Sequence, residues 1–243
     1  MNLTIIGSSA AYAPASRANA SYLIREKETK VLVDAGNGSI SRLFDVIDPA
    51  ELDALIISHM HMDHFGDLYP LRFYLHFDKQ KRLAVFLPKG GPKIISSILS
   101  PRSADVAKAA YDYRIIEEKS FVIGDLAFSF HKVCHLNPTY GLRISNGDKT
   151  LAYSADTKFC PEVIKLAKDA DAFLCEATMP DAEHSLDHMN TIDAAIAAKE
   201  SNCRRLILTH MWPTLDLETE KKKAEKVFGA KVEVALEGDV FEI

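Results

Sequence analysis

Two periods of hydrophobic patterning alternate along the chain: short apolar runs bounded by turn signals, and longer stretches with apolar residues at helical spacing. Ser21-Tyr22-Leu23-Ile24 and Lys30-Val31-Leu32-Val33 predict a hairpin over 20–34 that ends on Asp34. Residues 139–156 repeat the pattern with Tyr140 to Ile144, a turn at Asn146-Gly147, then Thr150 to Ser154, ending on Asp156. Asn-Gly between two apolar runs is the strongest short-range hairpin signal. A helical stretch and then a buried strand follow each hairpin, the strands being Asp53 to Ile57 in the first half and Asp171 to Cys175 in the second. A further strand, Arg205 to Leu208, runs into Thr209-His210. Helices are expected at 67–77, 93–111, 161–169, 191–201 and 217–228, with Asp67 and Asn190 as N-caps. Alternating strands and helices predict an α/β fold built from two similar halves, here a single domain over residues 1–243.

Composition narrows the function. With 29 Lys+Arg against 34 Asp+Glu the net charge is −5, so no broad basic face for nucleic acid is expected. The run Lys221-Lys222-Lys223 sits among Glu218, Glu220 and Glu225 and reads as a solvated helix face. No apolar run has the length of a membrane span, and Met1 to Ser9 lacks the basic start and apolar core of a signal peptide. Cys134, Cys160, Cys175 and Cys203 show no C-x-x-C spacing and read as buried reduced thiols. A cytoplasmic protein without membrane contact is the expectation.

The informative segment is Ser58-His59-Met60-His61-Met62-Asp63-His64. At this composition H-x-H-x-D-H arises by chance in roughly one such chain in a thousand. An extended chain sends residues i and i+2 to one side, so His59 and His61 can grip one ion while Asp63 and His64 turn toward a second. The segment follows a buried strand and precedes a helix, the strand-end position where α/β folds commonly place ligand sites. Three more candidate ligands sit at strand ends: His135, Asp156 and His210. Histidine and carboxylate donors suit divalent ions, zinc first, with manganese and iron also accommodated.

Asp34 in Val-Leu-Val-Asp-Ala-Gly, the His59–His64 motif, His135, Asp156 and His210 resemble, in order and setting, the five motifs of the metallo-β-lactamase superfamily. The resemblance covers essentially the whole chain, and it is most similar to the ribonuclease Z-like branch with its metal-dependent phosphodiesterases. Ile-Gly-Ser-Ser at 6–9 followed by Arg17, Cys175-Glu176-Ala177-Thr178 and His188-Met189-Asn190-Thr191 carry the closer match, and 235–239 resembles the branch's closing strand. The resemblance implies a four-layer αββα sandwich holding two divalent ions. It assigns His59, His61 and His135 to one ion and Asp63, His64 and His210 to the other, with Asp156 bridging and Asp34 orienting a ligand. It also implies a hydroxide shared by the two ions as nucleophile, and His188 supported by Glu176 as the proton donor. Asp63 is counted with this pair as catalytic.

One departure from ribonuclease Z matters. Only 20 residues separate His135 from Asp156, and the hairpin fills them, leaving no room for the long tRNA-gripping arm inserted there. A small phosphorylated substrate, cyclic or short, is therefore expected rather than tRNA, and the resemblance is compatible with a homodimer. The alternatives are a lactone, thioester or β-lactam hydrolase on the same fold, or a non-enzymatic metal-binding module. Among the other rings, His76 reads as a rim or surface residue, His131 as part of a solvated edge and His184 as part of the loop before His188. Phe73, Tyr74 and Phe77 read as core and lid packing, and Trp212 is expected near the site.

Overall fold

The computed structural model describes residues 1–180 and 186–243. The first half contains β1 (Asn2–Gly7), β2 (Ser21–Glu26), β3 (Thr29–Val33), α1 (Ser39–Leu43), β4 (Ala54–Ile56), α2 (Met62–Phe65), α3 (Leu68–Phe73), β5 (Leu83–Leu87), α4 (Gly91–Ser97), α5 (Pro101–Ala110) and β6 (Tyr111–Ile115). The second contains β7 (Ser120–Ile123), β8 (Leu126–Lys132), β9 (Tyr140–Ser145), β10 (Thr150–Tyr153), α6 (Pro161–Ala167), β11 (Ala172–Glu176), α7 (Thr191–Glu200), β12 (Leu206–Thr209), α8 (Leu217–Phe228), β13 (Val232–Val234) and β14 (Val240–Glu242).

Two seven-stranded sheets result, in the orders β14-β1-β2-β3-β4-β5-β6 and β13-β12-β11-β10-β9-β8-β7. Along the first sheet from β14, three antiparallel pairings are followed by three parallel ones. The second sheet, read from β7, shows the same succession. The repeat seen in the sequence is thus a repeat of topology, and β3 and β4 correspond to β10 and β11.

Burial on both faces of each sheet explains why the central strands read as continuous apolar runs. Val31 and Val33 point into a core shared with Phe128, Phe130, Leu142 and Leu174 of the other sheet. Leu32 and Leu55 face outward onto Leu68, Leu71 and Ala107 of the first helical layer. On the far side Phe173, Leu206 and Leu208 meet Val163, Ala194 and Ala224. The architecture is a four-layer αββα sandwich.

Three local expectations need correction. The helix expected at 93–111 is two helices, because Ser100 accepts from Ser103 N and Pro101 starts a fresh first turn; Tyr111 already belongs to β6. Asp67 occupies the N-cap position of α3 but its side chain caps nothing there: the carboxylate accepts from Ile40 N at 2.8 Å and so ties α3 to α1. Residues 235–239 are a turn rather than a closing strand, with Gly238 at φ 95°, and the strand is β14.

Candidate metal centre

The chain leaves the strand ends through left-handed backbone at three places: Asp34 at φ 59°, Ala155 at 51° and His210 at 50°. Non-glycine residues adopt this region at a cost of about 1–2 kcal/mol. Here the turns bring Asp34, Asp156 and His210 beside the His59–His64 segment.

Every histidine of the expected ligand set has one ring nitrogen held from outside. His59 Nδ1 donates to Ser58 Oγ at 3.1 Å and His64 Nδ1 to Asp34 Oδ2 at 2.9 Å. His135 Nδ1 donates to the Asp187 carbonyl at 3.0 Å, and His61 Nε2 lies 2.7 Å from the Asn137 amide. His210 Nδ1 donates to Thr178 Oγ1 at 2.8 Å, and that hydroxyl donates to Glu176 Oε2 at 2.7 Å. Outer hydrogen bonds of this kind fix tautomer and ring orientation in metal-ligating histidines.

The remaining nitrogens converge. His61 Nδ1 is 3.3 Å from His135 Nε2, and His64 Nε2 is 3.1 Å from His210 Nε2. Asp156 stands between the groups, with Oδ2 at 3.5 Å from His59 Nε2 and Oδ1 at 3.3 Å from His64 Nε2. Asp63 Oδ2 lies 3.3 Å from His210 Nε2 and accepts from Ala11 N at 2.9 Å. Two clusters emerge, His59-His61-His135-Asp156 and Asp63-His64-His210, each with donor atoms within 4.8 Å of one another.

This arrangement fits divalent cations. His59 Nε2 and Asp156 Oδ1 are buried without a hydrogen-bond partner, and unpaired buried polar atoms are rare because each costs about 1–3 kcal/mol. Opposed ring nitrogens can share at most one proton, whereas a cation between them satisfies both. Burial, with the neighbouring His64, pushes the pKa of His59 well down, and burial with His135 lowers His61; both rings are neutral, as ligation requires. Burial opposes the ionisation of Asp63 and Asp156, yet the surrounding imidazoles hold both carboxyls well below the usual range.

His188 adjoins the clusters. Its Nδ1 donates to Glu176 Oε1 at 3.2 Å and lies 3.9 Å from Asp156 Oδ2. A cavity of about 460 Å³ opens here, lined among others by Asp63, Asp156, Thr178, His188, His210 and Trp212.

The profile of the Anti-Pycsar protein Apyc1 family matches residues 1–227. The chain belongs to the Apyc1 family. A probable metallo-hydrolase of Bacillus subtilis, YhfI, is 30% identical over all of both chains. The crystal structure of YhfI superposes with a TM-score of 0.90 at 27% identity, covering 99% of this chain and 98% of that one. A ribonuclease Z of Geobacillus kaustophilus is 27% identical over 87% of this chain and 88% of its own. This Apyc1 family member is thus a metallo-hydrolase of the metallo-β-lactamase fold, in the ribonuclease Z-like branch.

Sequence reasoning quoted Ser58 and Thr178 inside its motifs but missed their roles, and it missed Asn137 and the Asp187 carbonyl altogether. Ser58, Asn137, Thr178 and the Asp187 carbonyl orient ligands, but single Ser, Asn and Thr residues in loops carry no spacing signal. The Ala11 backbone amide on Asp63 is equally silent. Glu237 is a further case: it accepts from Ser8 N, Ala18 N and Arg17 Nε, closing the loop that carries Ala11.

The other rings fall elsewhere. His76 lines a separate cavity with Phe77 and Arg82. His131 bonds Ser129 on β8, a strand paired on both sides rather than an edge. Phe73 and Phe77 are exposed rather than core. His184 lies outside the described residues. Cys134 is half-buried, unlike the other three cysteines. Among the described residues no helix is long and apolar enough to cross a membrane.

Proposed function

We propose that this protein is a dinuclear phosphodiesterase acting on a small phosphodiester, cyclic or short. The observation that supports it above the other reactions of the fold is the His188–Glu176 pair beside the metal clusters. Two divalent ions, with zinc favoured by the donor set, would supply Lewis acidity that activates water and neutralises phosphoryl charge. His59, His61, His135 and Asp156 would hold one, Asp63, His64 and His210 the other, with Asp156 common to both and Asp34 aligning His64.

The remaining task belongs to the chain. When the phosphorus–oxygen bond breaks, the leaving oxygen carries negative charge and needs a proton. Glu176 is buried and pinned by Thr157 N at 2.6 Å and Thr178 Oγ1 at 2.7 Å, so it presents a fixed acceptor to His188 Nδ1. With Nδ1 held, Nε2 is the atom that delivers the proton. Burial lowers the His188 pKa, but the hydrogen bond and charge of Glu176, with Asp156 and Asp187, outweigh it and raise the value to about 9. The Glu176 bond thus favours the protonated ring, the form in which it acts as an acid.

Substrate size follows from the hairpin. β9 and β10 use up the chain between His135 and Asp156, and the net charge of −5 offers no general attraction for tRNA. The test is His188→Ala with metal content measured alongside hydrolysis of an aryl phosphodiester and of cyclic and linear dinucleotide-sized substrates. A fall of about 10²–10⁴-fold in kcat is expected, with metal retained. Unchanged turnover would remove the proposed acid, and turnover of esters or thioesters in place of phosphodiesters would move the protein to a different hydrolase class.

A further inference from the structure

The segment carrying His135 also carries a thiol that the dinuclear centre does not use. Cys134 Sγ donates to Glu162 Oε2 at 3.3 Å. Cys160, one residue before α6, brings a second sulfur, and the three donor atoms lie within 4.8 Å of one another. The group joins the loop after β8 to the first turn of α6, and Thr157 Oγ1 stands 3.8 Å from Cys160 Sγ. Cys134 also lines a cavity of about 260 Å³ with His135, Leu136, Lys158, Leu186 and Asp187, so solvent reaches this side of the cluster.

We infer that Cys134, Cys160 and Glu162 form a separate site for a thiophilic divalent ion of the zinc type. Two sulfurs and one carboxylate are the donors a borderline-soft ion selects, and they differ from the sulfur-free His/Asp set of the dinuclear centre. Zinc–sulfur bonds of about 2.3 Å and zinc–oxygen bonds of about 2.1 Å place sulfur and oxygen about 3.6 Å apart at tetrahedral angles, close to the 3.3 Å separation of Cys134 Sγ and Glu162 Oε2. On binding, each thiol releases its proton to solvent as the thiolate takes the ion. A solvent molecule completes the fourth position. The ion would clamp the His135 loop to α6 and so brace one ligand of the dinuclear centre.

The two kinds of site are separable because only this one contains sulfur. The protein, stripped of metal and kept reduced, is titrated with Co²⁺ and followed by its thiolate-to-cobalt charge-transfer absorption. The band is expected in the wild type, lost in Cys160→Ala, weakened in Glu162→Gln and retained in Cys203→Ala. Zinc content should fall by about one equivalent per chain in Cys160→Ala, with the dinuclear metals kept. Absence of the band in the wild type, its survival in Cys160→Ala, or a Cys134–Cys160 disulfide that persists in excess reductant overturns the site. Glu162 is exposed, so its variant reads the site without disturbing the core.

Discussion

Asp34→Asn isolates a carboxylate that holds one candidate ligand, His64, from outside. The carboxylate is fully buried and accepts four hydrogen bonds: Ser58 N at 2.7 Å, Ser58 Oγ at 2.9 Å, His64 Nδ1 at 2.9 Å and Tyr153 Oη at 2.8 Å. Asparagine tolerates the left-handed φ of 59°, so backbone strain is not what changes. The amide NH₂ has to replace one oxygen. Placed at the Oδ1 position it confronts only the Ser58 N–H, leaving that N–H and the new amide NH₂ both buried without an acceptor, at about 2–6 kcal/mol together. The other three bonds lose their charge assistance, roughly 0.5–1 kcal/mol each. The total is about 3.5–9 kcal/mol, which for a domain of this size lowers Tm by roughly 7–36 °C. Melting in excess chelator reads this loss alone. A separate metal titration should show affinity down about 10–100-fold, because His64 loses the partner that fixes its ring. An apo melt within about 2 °C of the wild type would show that the four bonds do not stabilise the fold, and unchanged metal affinity would refute the orienting role of Asp34.

Three shorter predictions accompany it. An acid must be protonated to act, so turnover is expected to hold through neutral pH and to fall as pH rises through the His188 value of about 9. Glu176→Gln removes the charge that raises it and should move this alkaline limb about one to two units toward acid; a limb that stays in place in kcat profiles assigns it to another group. A Cβ on Gly36 would lie 2.0 Å from the Asp63 carbonyl oxygen and 2.6 Å from Asn19 Cβ. Gly36→Ala should therefore cost about 1–3 kcal/mol and weaken metal binding by displacing Asp63; wild-type melting and affinity would show that the close approach is not required. Asp48 is held down to about 2 by hydrogen bonds from Lys79, Tyr74 and the Ala50 amide. Since the lowered pKa belongs to the folded state, its contribution is present above pH 4 and fades as pH falls toward 2. Asp48→Asn should be less stable than wild type at pH 7 by well under 1 kcal/mol, because the pair is solvent-screened, and the gap in urea midpoints should narrow on acidification.

The gathering of candidate donors at strand ends and the two-half repeat were legible because each left a periodic or compositional trace. His59 and His61 share a side at spacing two, and the two hairpins end on Asp34 and Asp156 in matching positions. The topology confirms that match, with three antiparallel and three parallel pairings in each sheet. What escaped were contacts set by tertiary approach. Asp67 has the chemistry of a helix cap, yet Ile40 N won its carboxylate because α1 packs across it. The apolar spacing across 93–111 hid a break that Ser100 and Pro101 impose. Cys134 and Cys160 lie far apart in the chain and meet only because the β8 exit loop crosses the start of α6.

The deeper constraint is that each half of the fold reaches into the other beside the candidate ligands. His64 belongs to the first half and takes its orientation from Asp34, but Asp34 is held by the hydroxyl of Tyr153 from the second sheet. In return Tyr22 of the first sheet pairs with Thr209 at 2.9 Å, one residue before His210. Burial, reinforced by the nearby carboxylate of Asp34, holds both phenols well above their ordinary pKa, so they remain neutral hydroxyls at any working pH. Both lie in the apolar core between the sheets, where a phenol is positioned only once the sheets have packed. The orientation of His64 is therefore tied to sheet-on-sheet packing. Metal binding and closure of the central core are then thermodynamically linked, and any substitution that loosens the contact around Tyr22 and Tyr153 weakens the metal centre without touching a ligand.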